Sequence, residues 1–213
     1  GINRTWPNVL NVEGVNGLEN VKWSDLDTFD IIQYDVTMPY LRQIAGPVDY
    51  TQGSMVNAAR PHFRPVHGQP MSPGTRSHQL ALYMVLYSPL NMLCDSPSNY
   101  RREQECTDFI SSVPTVWDET VVLDGKIGEY IVTARRKDNE WYIGGVTNWT
   151  PRELEIDFTP LKLGGDRKME IFTDGVNAHR NGNDYRKETI FLKNGGSLKV
   201  KLAPGGGFAA HIF

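Results

Sequence analysis

From Trp117 to Phe213 one pattern restricts folding more than any other stretch of this chain. Short runs alternate apolar and polar residues and are separated by turn residues. The runs EYIVTARRK, EWYIGGVTNW, ELEIDFT, KMEIFTD, ETIFLK, SLKVKLAP and GFAAHIF are rich in β-branched and aromatic residues at period two. Asp138-Asn139, Gly164-Gly165, Asp174-Gly175 and Asn194-Gly195 punctuate them. A strand with one apolar face must bury that face against a second layer. About seven or eight such strands in roughly a hundred residues therefore predict an antiparallel β-sandwich. Acidic and basic residues balance across this stretch and fall on the alternate, solvated strand faces.

The preceding part has a different composition. Ten of the thirteen prolines fall before Thr115, and apolar runs there are separated by long loops. The run DIIQYDVTMPYLRQIAGPVDY reads as strand-like over Ile31–Val36 and then as loop. Gly53 to Gly74 reads as a polar loop. Thr75 then opens a helix that puts Leu80, Met84 and Tyr87 on one face, with Ala81 and Val85 beside them, and Pro89 ends it. Leu90–Cys94 is predicted to be a short buried strand reaching Asp95. A polar SPSNY loop and a second helix over Glu103–Ser112 follow, closed by Pro114. Helix, short apolar strand, polar loop and helix is the rhythm of an α/β barrel. The expected fold class is thus α/β plus all-β. Residues 1–115 form the last part of a (β/α)8 barrel, roughly three β/α units of it, and residues 116–213 form a C-terminal antiparallel β-sandwich. The opening barrel strand would need neighbours that this sequence does not supply.

Bulk properties exclude several functions. The net charge is −3, with no basic run and no interleaving of Lys/Arg with aromatics, so nucleic acid is not an expected partner. No apolar run approaches the ~20 residues that span a bilayer. Cys94 and Cys106 occur without a CxxC, HExxH or Cys/His cluster, which argues against a zinc site. Cys94, in SPLNMLCD, reads as a buried free thiol rather than half of a disulfide.

The chemistry concentrates in NVLNVEGVNGLENVKW, residues 8–23, where Glu13 and Glu19 follow apolar residues and stand beside glycines. A buried strand end opening into a glycine-rich turn would let both carboxylates converge on one pocket. Paired carboxylates can bind a hard cation, or divide acid and base work at a glycosidic bond. The plain alternative is an N-cap and a solvated first-turn acid on a following helix. Asp49, Tyr50 and Asp95 also lie just past apolar runs, where barrel strands present working residues. They are candidate substrate contacts, with turn or helix capping as the alternative for the two aspartates. Arg4 could orient Glu13 or pair with a nearby loop acid. Trp141 and Trp149 could stack on a sugar or pack in the sheet core.

Several long segments, in order, resemble glycoside hydrolase family 97. They are RTWPNVLNVEGVNGLE, DVTMPYLRQIAGPVDYTQGSM, PMSPGTRSHQLALYMV, SPLNMLCDSPSNY, VPTVWDETVVLDGKIGEYIVTARRK and the closing LAPGGGFAAHIF. The resemblance implies the end of a catalytic (β/α)8 barrel followed by a C-terminal β-sandwich. It implies an exo-acting α-glucosidase or α-galactosidase that uses calcium and acts on α-linked oligosaccharides in the bacterial periplasm or outside the cell. In the family's N-x-E-G-x-x-G-x-E pattern the second glutamate, here Glu19, is the general acid and also approaches the metal, and the first, here Glu13, is a calcium ligand. The nucleophile or second base and the remaining ligands belong to segments that this sequence does not contain. The remaining N-terminal part of the same enzyme is accordingly the implied partner. A reading of a different class is a non-catalytic β-sandwich module that binds carbohydrate or braces a barrel, but such a module has no use for Met38–Pro114.

Overall fold

The structure, a computed structural model, describes residues 2–213. The first part contains short helices joined by long loops: α1 (Ile2–Thr5), α2 (Ile31–Asp35), α3 (Met38–Leu41), α4 (Arg76–Val85), α5 (Pro97–Arg102) and α6 (Gln104–Ser112). Its strand pairing is sparse and parallel. Val12 bridges Val48, and β1 (Asn57–Ala58) pairs with β2 (Ser72–Pro73).

From Glu119 onward the chain is β-structure: β3 (Glu119–Lys126), β4 (Tyr130–Lys137), β5 (Glu140–Thr147), β6 (Arg152–Asp157), β7 (Arg167–Asp174), β8 (Tyr185–Leu192), β9 (Ser197–Leu202) and β10 (Gly207–Ile212). Six of these form one antiparallel sheet in the order β3-β4-β5-β10-β7-β8, and β6 pairs with β9 as a second layer. The predicted alternation is what closes this sandwich. Val132, Ala134, Trp141, Ile143, Met169, Ile171, Phe208 and Ala210 point to one face and pack on Leu154, Ile156, Val200 and Leu202. Trp141 is therefore core, not a sugar platform.

The opposite sheet face carries α4. Thr75 caps this helix, its hydroxyl accepting the His78 N–H at 3.1 Å. The helix was expected to bury one face, but all ten of its residues are buried. Ala81 and Val85 pack with Ile131 and Val146, while Leu80 and Met84 pack with Tyr142, Phe172 and Ala209. A Cβ at Gly144 would meet the Ala81 carbonyl and Met84, so the absence of a side chain there lets α4 lie directly on β5. Arg135, from β4, donates from Nε to the Met84 carbonyl at 2.5 Å and terminates the helix. Burial holds the Arg135 pKa down to about 10.

Three expectations for the first part are corrected. Ile31–Val36 is not strand-like: Asp30 caps a helical turn by accepting the Gln33 N–H at 3.1 Å. Ile31, Ile32 and Val36 are buried on every side, and such an apolar run fits helix and strand equally. Leu90–Cys94 forms no strand, and Leu90, Met92 and Leu93 are exposed. The SPSNY segment is not a loop: Ser96 accepts the Asn99 N–H and Pro97 stands at the first position of α5, which is a helix start. Cys94 and Cys106 are free thiols, Cys94 half-buried.

Candidate active site

Glu19 lies in a 3-10 turn, Leu18–Lys22, whose Leu18 and Val21 are buried anchors. The Val12–Val48 bridge and the Asp49 N–H bond to the Val12 carbonyl (3.1 Å) set the Glu13–Glu19 segment beside the chain leading to Thr51. The two segments then lock together. The Leu18 N–H donates to Thr51 Oγ1 at 2.8 Å, and Thr51 Oγ1 donates to Glu19 Oε2. Gly17 completes this arrangement, because a Cβ there would collide with both the Glu19 carboxylate and the Thr51 hydroxyl.

Glu19, Thr51 and Asp95 line one cavity of about 140 Å³, together with Lys22, Ser54 and Cys94. Leu18, Val21, Pro70 and Met71 add apolar wall and Ser72 a further hydroxyl, which suits a ligand with both hydroxyl groups and apolar ring faces. Asp95 has its oxygens engaged. Oδ2 accepts the Met55 N–H (2.7 Å), and Oδ1 accepts from the Ser96 N–H and Asn99 Nδ2 (2.7 Å each). It therefore braces the cavity wall and holds the backbone of Ser96, the residue that caps α5. Burial, reinforced by Asp95 and Glu19, pushes the Cys94 thiol well above its usual range, so Cys94 is a neutral wall residue.

Glu13 is exposed, and its backbone is fixed by Arg42 rather than Arg4. Arg42 Nη2 donates to the Val12 and Glu13 carbonyls at 2.7 and 2.8 Å. Asp49 is half-buried outside the cavity lining. Tyr50 is 3% exposed and also outside it; its hydroxyl donates to Asp35 Oδ1 at 2.7 Å. Asp35 in turn holds His78 Nε2 at 3.1 Å, while His78 Nδ1 lies 3.3 Å from the Gly206 carbonyl. Burial raises the pKa of Asp35, partly offset by His78 and Tyr50. Tyr50 thus belongs to a buried polar chain tying the first part to the turn just before β10. Trp149 makes a similar tie, its indole N–H donating to Asp30 at 2.8 Å.

The donor set can be tested against calcium, which takes about six to eight oxygen ligands. Glu13 and Glu19 supply the right kind of donor. Among the described residues, however, no group of three or more His, Cys, Asp or Glu could hold a metal ion. The chain fits calcium in chemistry and falls short in ligand number.

Residues 116–213 match the family model described as glycosyl-hydrolase 97 C-terminal, oligomerisation. The chain is 58% identical over 214 residues to a retaining alpha-galactosidase of Bacteroides thetaiotaomicron, an alignment covering 100% of this chain and 32% of that protein. The chain corresponds to the C-terminal part of glycoside hydrolase family 97 proteins. It is also similar to a probable retaining alpha-galactosidase of Streptomyces bingchenggensis, at 30% identity over 99% of this chain and 29% of the relative. Among solved structures, a family 97 enzyme from Pseudoalteromonas sp. strain K8 in complex with panose superposes with a TM-score of 0.84 at 32% identity. That match covers 100% of this chain and 33% of the other. The chain spans about a third of the length of these relatives.

Of the residues singled out in the sequence, the chain brings Glu19 and Asp95 to one cavity and leaves Glu13, Asp49 and Tyr50 outside its lining. Sequence reasoning missed Thr51, Lys22 and Cys94 as wall residues. Thr51 was adjacent to a candidate, Tyr50, and side-chain alternation along an extended segment was the available signal for it. No helix among the described residues is long and apolar enough to cross a membrane.

Proposed function

We propose that this chain supplies the general acid of a retaining α-glycosidase, with α-galactosides as the leading substrate class. Glu19 is the acid. The observation that carries the reading is the Glu19 carboxylate, fixed by Thr51 against Gly17 in the wall of a mixed polar and apolar cavity. The 58% identity to a retaining alpha-galactosidase runs through this whole region. Glu19 gives its proton to the leaving oxygen as the glycosidic C–O bond breaks, then takes a proton from the incoming water in the second half of retaining chemistry. Lys22 and Ser54 offer polar contacts to sugar hydroxyls, and the Leu18, Val21 and Met71 side chains face the ring.

The catalytic nucleophile is supplied by the remaining N-terminal part of the enzyme. Two observations support that partner. Val12 and Val48 form a lone parallel bridge, and Leu10, Val12 and Ile44 are exposed at 48, 39 and 85%, which marks a surface built to be covered. In this reading residues 1–115 are the last units of a (β/α)8 barrel, of which the two parallel pairings are the trace. Residues 116–213 brace that barrel through α4 and take part in self-association, as the family description's oligomerisation suggests. Calcium would be held by Glu13 with oxygens from the rest of the enzyme, close to Glu19, and would supply charge that organises sugar hydroxyls. The proposed setting, by family resemblance alone, is the bacterial periplasm or the cell exterior.

The test is Glu19→Gln in the full-length enzyme, assayed on an activated aryl α-galactoside and on an α-galactosyl disaccharide. A general acid contributes roughly 10²–10⁴-fold, and a nitrophenolate leaves without protonation. The reading expects a loss of that size on the disaccharide and a much smaller loss of the first step on the aryl substrate. Equal losses on both contradict it.

A further inference from the structure

We propose that Thr51 is a positioning residue that holds one oxygen of the Glu19 carboxyl so that the other delivers the proton. The inference rests on the acid role proposed for Glu19. Thr51 has one hydroxyl hydrogen. The Leu18 N–H, donated at 2.8 Å from the residue next to Glu19, occupies one of its two acceptor lone pairs and orients the hydroxyl. The hydroxyl hydrogen is donated to Glu19 Oε2. Gly17 removes the one side chain that would part the two groups. With Oε2 engaged as an acceptor, Oε1 is the oxygen that carries the transferable proton.

This arrangement favours the transition state over the ground state. As the Oε1–H bond breaks and the proton moves to the leaving oxygen, which takes the electrons of the C–O bond, negative charge grows on the carboxylate. A hydrogen bond to a charged acceptor is roughly twice as strong as one to a neutral acceptor. The bond from Thr51 therefore strengthens along the reaction coordinate, and such a bond raises kcat rather than lowering KM. Its contribution is largest when the leaving group most needs the proton.

The experiment compares Thr51→Val, Thr51→Ser and Glu19→Gln in the full-length enzyme, on an activated aryl α-galactoside and on an α-galactosyl disaccharide. Valine preserves the shape and removes the hydroxyl, while serine restores it. We expect Thr51→Val to lower kcat on the disaccharide roughly 10- to 100-fold, with KM changed less than about threefold. The aryl substrate should lose less than about threefold in first-step rate, and Thr51→Ser should recover to within about threefold of wild type. Gly17→Ala, which presses a methyl group between the same two oxygens, should reproduce the disaccharide-selective loss. This second variant keeps the test open should the valine protein not fold. Equal losses on both substrates, a loss through KM alone, or serine no better than valine overturns the positioning role. The Glu19→Gln arm separates the two levels. If it keeps full disaccharide activity, the acid assignment itself fails; if it shows the substrate split and Thr51→Val does not, only the positioning inference fails.

Discussion

Arg76 offers a stability test whose size follows from its contacts. It is 1% exposed, in the first turn of α4. Its Nε donates to Asn57 Oδ1 (2.6 Å), Nη2 to the Met55 carbonyl (2.6 Å) and Asn183 Oδ1 (3.0 Å), and Nη1 pairs with Glu103 Oε2 (2.9 Å). One guanidinium thus joins α4, the β1 segment, the α5–α6 junction and the loop before β8. Arg76→Met keeps most of the stem packing and removes every donor. Asn183 is exposed and Glu103 is 31% exposed, so water can replace the lost donors there at little cost. Met55 and Asn57 are 3 and 4% exposed, so two buried acceptors are orphaned at about 1–3 kcal/mol each. The expected loss is about 3 kcal/mol, a large share of the ~5–15 kcal/mol that holds a domain folded. Urea unfolding followed by tryptophan fluorescence measures it as a shift in midpoint at unchanged slope. Glu103→Gln should cost less than about 1 kcal/mol in the same assay. A loss below about 1 kcal/mol for Arg76→Met, or an equal loss for Glu103→Gln, refutes the reasoning that buried acceptors set the cost.

Three other perturbations have definite signs. Gly144→Ala forces a methyl group against the Ala81 carbonyl and should destabilise by about 1–3 kcal/mol in thermal unfolding; an unchanged midpoint would mean that α4 does not sit on β5 as described. Burial raises the pKa of Asp174 from 3.8 to about 6, against the opposing hydrogen bonds it accepts, so the folded state binds its proton more tightly than the unfolded chain does. Its stabilising contribution is complete below about pH 4 and is lost as pH rises through about 6, so the advantage of wild type over Asp174→Asn should shrink by about 3 kcal/mol across that window. A pH-independent difference contradicts this. In the full-length protein, Glu13→Gln should weaken calcium binding roughly tenfold or more by calorimetric titration, since ligand charge sets calcium affinity; unchanged affinity removes Glu13 from the ligand set.

The sandwich was legible where its strands are half-buried: in β6, buried Leu154 and Ile156 alternate with exposed Glu153 and Glu155, a direct print of two different faces. β5 is covered on both faces, one by the sandwich core and the other by α4. The Thr75 cap was legible for a similar local reason. The helices opening at Thr75 and over Glu103–Ser112 were legible, but the other short apolar segments of the first part were not, because they are buried all round or exposed all round. Ile31-Ile32 carries no period to read, and Leu90-Met92-Leu93 has apolar residues on a surface that this chain does not cover. At the site, Glu19 stood out through its glycine and apolar setting, but its partner Thr51 is distant in sequence and is joined by a hydrogen bond that no local pattern encodes. Tyr50 shows the converse: its place just past an apolar run does not reveal that its hydroxyl is donated to buried Asp35, outside the cavity lining.

The most direct test of the account is chemical rescue of Glu19→Ala in the full-length enzyme. With an activated aryl α-galactoside, the account predicts that the first step survives and the second stalls for want of a base. Azide needs no base: it attacks the anomeric carbon, displaces the enzyme's carboxylate and restores turnover, and the product is the α-configured galactosyl azide. No rescue by azide, with hydrolysis of the aryl substrate continuing as in wild type, would contradict Glu19 as the acid and base of this enzyme.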